Sequence, residues 1–243
     1  MYAFLFVAGV GAGIAGYLVG LASLISYPAM VAMGIPPVVA NTSNTVGLLG
    51  SGAGSVVGGW KRLRSLKTYP LSWLLTVSLF GGLAGGLLLV IVPSRVFEAV
   101  VPWLVALGTG LIAFGPLINR AQGTRRLPLG VYLTFLVPIT IYGGYFGAGA
   151  GVLFLALCTL VTPMSAHEAV LLKSPLLAFA NLGAACVFVA RDNIDWPAAV
   201  AVGLGAFVGG YAGPKVQRFF SERLLRWLVV VGGSAMVIWL FAR

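Results

Sequence analysis

The side chains with chemistry to offer lie in apolar surroundings. The chain's one histidine, His167, sits in the run YGGYFGAGAGVLFLALCTLVTPMSAHEAVLLKSP, residues 142–175, beside Glu168, Lys173 and Ser174. A helix beginning near Ser165 puts Lys173 roughly 12 Å along its axis at about 1.5 Å per residue, well inside a hydrocarbon layer about 30 Å thick. An ammonium at that depth costs about 2.5–3.5 kcal/mol on insertion scales, which makes it a functional-site candidate by default. A second cluster is the unbroken polar stretch Asn41, Thr42, Ser43, Asn44 and Thr45. Five successive helical positions cannot all face one neighbour, so some of them line a cavity while others act as hydrogen-bond glue between helices. Glycines crowd the chain just before each cluster, around Gly13 and around Gly147 and Gly149. Their bare backbone N–H groups can receive an anion, and Pro175 frees a carbonyl at the level of Lys173.

Duller explanations cover much of the rest. Ser165 and Glu168 have the spacing of a capping box, which accounts for Glu168 without a proton relay and leaves His167 near the interface. Lys173 itself could snorkel or pair with a carbonyl. Repeated small residues such as Gly54 with Gly58 read as close-packing faces, and the tryptophans near segment ends as interface anchors. No paired carboxylate, Cys/His dyad, phosphate loop or metal spacing is present, so neither an enzyme nor a bound cofactor or metal is expected. Cys158 and Cys186 fall within apolar segments and read as small core residues.

Composition sets the class. Of 243 residues 60% are hydrophobic and 8% charged, with mean hydropathy +1.03, whereas about a quarter of a soluble domain is charged. The chain is expected to be an all-α polytopic membrane protein. Its net charge of +10 resides in short loops between apolar runs, which favours membrane topology over nucleic-acid binding. The first segment lacks a basic leader and is expected to be retained.

In chain order, residues 2–34 form an apolar run too long for one span, expected to fold as two short helices in a hairpin with glycines at or near the turn. A helix follows from Pro37 to the basic loop at 61–67, then segments at 70–92 and 97–118. The second half repeats the plan: a glycine-centred run at 129–163, a helix at 166–190, and segments at 197–213 and 224–242. Gly20 with Gly149, Ala40 with Ala169 and Gly54 with Gly183 share an offset of 129, and Pro70 with Pro197 and Ser94 with Ser221 an offset of 127. Two repeats are therefore expected, 1–122 and 123–243, each a glycine-broken helical hairpin plus three transmembrane helices. Placing the basic loops at 61–67, 119–126 and 215–226 inside and the loops at 93–98 and 191–195 outside makes the repeats inverted, with both termini outside. This is a recurring transporter plan. It brings the Asn41–Thr45 cluster and Lys173 with Ser174 toward the midplane from opposite sides, with Asn44 matching Lys173 in the repeat register.

The stretch GAGIAGYLVGLASLISYPAMVAMGIPPVVANTSN and its copy GGYFGAGAGVLFLALCTLVTPMSAHEAVLLKS resemble the sulfite exporter TauE/SafE family, also described as toluene sulfonate uptake permeases. The likeness extends over nearly the whole chain in length, halves and segment order. It implies a carrier of small sulfur-containing or organic anions such as sulfite, sulfonates or sulfoacetate, usually outward across the bacterial cytoplasmic membrane. Lys173 stands where the family's second half has a small polar position, and its charge suits an anion. The expected function is a secondary transporter working by alternating access. Its substrate is expected to be held by Asn41–Thr45, Lys173 and Ser174 with the backbone of Gly13, Gly147 and Gly149, in a protein for which an oligomer is compatible. The rivals are a passive anion channel, distinguished by its flux behaviour, and a membrane scaffold with no flux.

Overall fold

The computed structural model describes residues 1–63, 69–118, 128–161 and 166–216, with scattered positions between 227 and 241. Ser165 of the expected cap, most of the basic loop side chains and the bulk of the last apolar segment fall outside the described residues. The described elements are α-helices: α1 (Tyr2–Val19), α2 (Ser23–Ala32), α3 (Pro37–Gly47), α4 (Leu49–Leu63), α5 (Leu71–Ile91), α6 (Ser94–Ile118), α7 (Leu129–Tyr145), α8 (Ala150–Val161), α9 (Ala166–Ala190) and α10 (Trp196–Val216). Helices α1, α5, α9 and α10 contain stretches long and apolar enough to cross a membrane. The outward side chains, among them Trp73, Phe80, Trp103, Phe114 and Leu204, are apolar and exposed, as a lipid-facing surface requires. This is a polytopic membrane protein.

Proline and glycine set the helix boundaries. Pro37 opens α3 at a position where its missing N–H is no loss, and Pro70 and Pro128 precede α5 and α7. Helix α10 starts where Asp195 Oδ1 accepts the Ala198 N–H at 3.0 Å. Helix α1 stops at Gly20, whose φ of +80° is left-handed and whose N–H reaches the carbonyls of Ala15 and Gly16, a C-terminal cap that glycine makes without strain.

The expected hairpins are present as α1–α2 and α7–α8, with one correction. Gly9, Gly11, Gly13 and Gly16 lie within α1 and not at its turn, so α1 is one continuous 18-residue helix. In hydrocarbon the helical backbone has no water to prefer, and glycine gains close packing in return. A Cβ on Gly9 would lie 2.4 Å from Val202 O, and one on Gly13 2.4 Å from Ala206 O, both on α10. The helix expected from Pro37 to the first basic loop is instead interrupted at Leu48, between α3 and α4.

Packing pairs the elements across the halves. Helix α1 runs along α10 and α7 along α5, while α4 packs on α10 and α9 on α5. The two hairpin turns meet at the centre: a Cβ on Gly20 would sit 2.6 Å from the Cα of Gly151, and one on Gly151 2.5 Å from the Cα of Gly20. That contact is backbone on backbone.

Gly34 offers a controlled comparison, since it too has positive φ, +87°, but nothing lies within 4 Å of a Cβ there. Gly34→Ala is expected to cost only the left-handed strain of about 1–2 kcal/mol. Gly20→Ala adds an overpacking cost of about 1–3 kcal/mol. Melting temperatures in detergent should fall further for Gly20→Ala, and equal falls would show that the turns do not press on each other.

Candidate functional site

Where the two turns meet, a cavity of about 50 Å³ opens between the halves, room for about three to five waters or one compact ion. Its wall comes from the α1–α2 turn (Gly16, Gly20, Ala22, Ser23), the α7–α8 turn (Gly143, Gly147, Ala150) and two facing helices. Leu48, at the break before α4, lines the cavity with Ser51, Gly52 and Ser55 of α4, and α9 supplies Ser174, Leu177, Ala178 and Asn181. Each set has the spacing i, i+3, i+4, i+7, a single helix face. The polar lining is thus four hydroxyls and one carboxamide, groups able to donate as well as accept.

The backbone adds directional charge. Both α2 and α8 begin at this cavity, with Ala22 and Ser23 at one start and Ala150 at the other. The N–H groups of Leu24, Ile25, Ala150 and Val152 in these first turns bond carbonyls of the turns themselves, and each helix start carries the positive end of its dipole, about half a unit charge. Two helix N-termini and a ring of hydroxyls favour a negatively charged occupant.

Lys173 stands one residue before the lining Ser174. It is fully buried, and its Nζ donates to the carbonyls of Gly16 and Tyr17, each at 2.8 Å. Those carbonyls lie in the last turn of α1, where the dipole is negative; Gly16 O also accepts the Gly20 N–H. The ammonium therefore braces the turn that carries Gly16 and Gly20 into the cavity wall.

The Asn41–Thr45 cluster braces the other turn. Asn41, buried at 0% exposure, donates its Nδ2 to Tyr145 O at the end of α7, 2.9 Å away. Thr45 Oγ1 bonds Asn41 O at 2.9 Å, and Ser26 Oγ on α2 donates to Asn44 Oδ1. Thr42 Oγ1 reaches the carbonyls of Val39 and Asn193, and Ser43 Oγ accepts the Asp195 N–H at 2.8 Å, so these two fasten the 191–195 connection onto α3.

Of the residues singled out in the sequence, the structure brings Gly147 and Ser174 together in the cavity wall. Lys173 and Asn41 stand behind that wall, each at the end of a different hairpin helix. Gly13 is in the α1–α10 crossing, and Gly149, with φ +79°, packs on Gly108 of α6. Ser23, Ser51, Ser55 and Asn181 line the cavity without having stood out in the sequence. For Ser51, Ser55 and Asn181 the signal that could have found them is a stripe of small and polar residues at helical spacing, Ser51, Gly52 and Ser55 on α4 and Ser174, Ala178 and Asn181 on α9.

Lys173→Met should destabilise the protein by about 1–3 kcal/mol through loss of the buried ammonium's hydrogen bonds, although Gly16 O keeps the Gly20 N–H. Lys215, whose Nζ lies 5.0 Å from the centre of the Tyr211 ring, gives a control: Lys215→Met should cost under about 1 kcal/mol. Comparable melting temperatures for the two variants would contradict the bracing role of Lys173.

Comparison with known proteins agrees with this architecture. The chain is similar along its whole length to a probable membrane transporter protein, ORF9, of Sinorhizobium sp., with 29% identity over 245 residues covering 93% of that protein. It is 25% identical to a probable membrane transporter protein of Haemophilus influenzae, over 95% of this chain and 91% of the relative. It is 24% identical to the probable membrane transporter protein YfcA of Escherichia coli K12, over 93% and 84% respectively. The family model described as sulfite exporter TauE/SafE matches residues 5–240. With nearly every residue inside that match, the chain belongs to the TauE/SafE family of membrane transporters.

Proposed function

We propose that the protein is a secondary carrier that exports a small sulfur-containing or organic anion, such as sulfite or a short sulfonate, across the cytoplasmic membrane by alternating access. The observation that carries this reading is the cavity between the two glycine turns, walled by Ser23, Ser51, Ser55, Ser174 and Asn181 and faced by the starts of α2 and α8. A compact oxyanion there takes hydrogen bonds from hydroxyls, the Asn181 amide and helix-end N–H groups, including those near Gly147. Lys173 contributes its charge from behind Gly16. Asn41 to Thr45 hold α7 and the 191–195 connection in place, while Gly13 and Gly149 supply close contacts.

Alternating access follows from treating 1–122 and 123–243 as inverted copies. The matched pairings of α1 with α10 and α7 with α5 are what such a duplication gives. Rocking of one hairpin against the other about the Gly20 and Gly151 contact would open the cavity first to one side and then to the other. A membrane potential negative inside assists the exit of negative charge by about 2.3 kcal/mol per charge per 100 mV. Catalysis has no part in this reading.

Purified protein reconstituted in liposomes should take up sulfite or methanesulfonate saturably, with exchange accelerated by anion on the opposite side. Non-saturating flux indifferent to the opposite side would favour a channel. Asn181→Leu is expected to lower uptake about 10- to 100-fold, the effect of about 1–3 kcal/mol of lost hydrogen bonding. Wild-type uptake in Asn181→Leu combined with Ser51→Ala, or in well-expressed Lys173→Met, would overturn the site assignment. For the topology, a reporter cysteine at Arg191 in a background without Cys158 and Cys186 should label from outside in intact cells, and one at Lys215 only after permeabilisation. The reverse pattern would invert the proposed orientation.

A further inference from the structure

Buried polar side-chain atoms ordinarily have partners, yet Asn41 Oδ1, Asn44 Nδ2 and Tyr27 Oη have none. All three residues are at most 1% exposed. Shared contacts tie the three residues to the end of α7 and the α2 helix beside it. Asn41 is bonded to Tyr145 O, the last carbonyl of α7. The Tyr27 ring stands edge-on to Phe146, the next residue, with centroids 5.3 Å apart. Ser26, beside Tyr27, holds the Asn44 amide.

The other hairpin shows what this helix end is missing. At the offset of 129, Gly16 and Tyr17 correspond to Tyr145 and Phe146, and Asn44 to Lys173. The end of α1 carries a tethered ammonium on its carbonyls. The end of α7 has the same negative dipole but only a neutral carboxamide at the corresponding position. Asn44 can also present oxygen there. Ser26 Oγ has one proton and a second acceptor within reach, Ala22 O at 3.0 Å. With the proton on Ala22 O, Ser26 accepts from Asn44 Nδ2, and the Asn44 oxygen joins that of Asn41 three residues earlier on α3.

We propose that Asn41 Oδ1, Asn44 Oδ1 and Tyr27 Oη form a site for a hard monovalent cation of the sodium type at the end of α7. The cation does there what the Lys173 ammonium does at the end of α1. Oxygen ligands suit hard cations, and helix C-terminal ends serve as sodium ligands in carriers with broken helices. The ligand set is neutral, and no cluster of three or more His, Cys, Asp or Glu residues occurs among the described residues. A single charge therefore fits better than a divalent ion. Tyr145 lies between Gly143 and Gly147 of the cavity wall, so the cation and an anion in the cavity share the last turn of α7, and each favours the other. That coupling rests on the carrier reading, whereas cation binding stands without it.

The test uses purified full-length protein without added oxyanion, its melting temperature followed while sodium chloride replaces choline chloride at constant ionic strength, with potassium chloride in parallel. Sodium should raise the melting temperature saturably, and Asn41→Ala should abolish the rise. Asn44→Lys, which installs the counterpart of Lys173, should melt near the sodium-saturated wild type and no longer respond to sodium. A wild type that melts alike in sodium and choline, or Asn41→Ala that keeps the full rise, overturns the site. If Asn44→Lys does not fold, wild type and Asn41→Ala decide alone. Loss of anion flux with the sodium response intact counts against the carrier reading, and a flat sodium response with flux intact removes only the cation site.

Discussion

The contact that the rest of the structure depends on is the meeting of two backbone turns, Gly20 against Gly151, with no side chain between them. It places the starts of α2 and α8 at one central point, so that two helix dipoles face a common cavity. A single methyl group at either position would separate the turns. Polar backbone at membrane depth is tolerated only when buried in protein or lining a cavity, and here it does both. The broken helices and the cavity are thus two aspects of one constraint.

Breaking a helix inside a membrane creates a second problem, because the last carbonyls of each hairpin's first helix lack i+4 donors within the helix. The turn N–H groups of Gly20, Leu21, Phe146 and Gly147 reach only some of them. The two halves solve it differently. Lys173 reaches Gly16 and Tyr17 from α9, and Asn41 reaches Tyr145 from α3. Each brace is contributed by a helix of the opposite half of the chain, which links the turns to the scaffold that would have to move around them. The buried ammonium, costly in isolation, is offset by the helix-end dipole and two short hydrogen bonds.

Around this centre the scaffold is held by close backbone approach more than by interlocking large side chains. Lipid is as apolar as leucine, so helix association in a membrane relies on van der Waals contact and hydrogen bonds. The α1–α10 and α5–α9 crossings show the consequence: a Cβ on Gly82 of α5 would fall 1.9 Å from Ala180 O on α9.

The amino-acid sequence by itself determined the membrane class, the paired helices around each glycine-rich turn and helix bounds as close as 166–190 for α9, because hydropathy, proline and glycine act locally on backbone and solvation. It also singled out Lys173 and the Asn41–Thr45 cluster as unusual, since a polar group in an apolar run is conspicuous wherever it points. Only the tertiary structure decided what those groups do. Whether Lys173 faces an anion or the end of α1 depends on the position of Gly16, 157 residues away. That Ser51 and Asn181 share a cavity depends on how α4 and α9 are turned about their axes. Rotation about a helix axis is set by packing against neighbours distant in the chain, which no local pattern encodes.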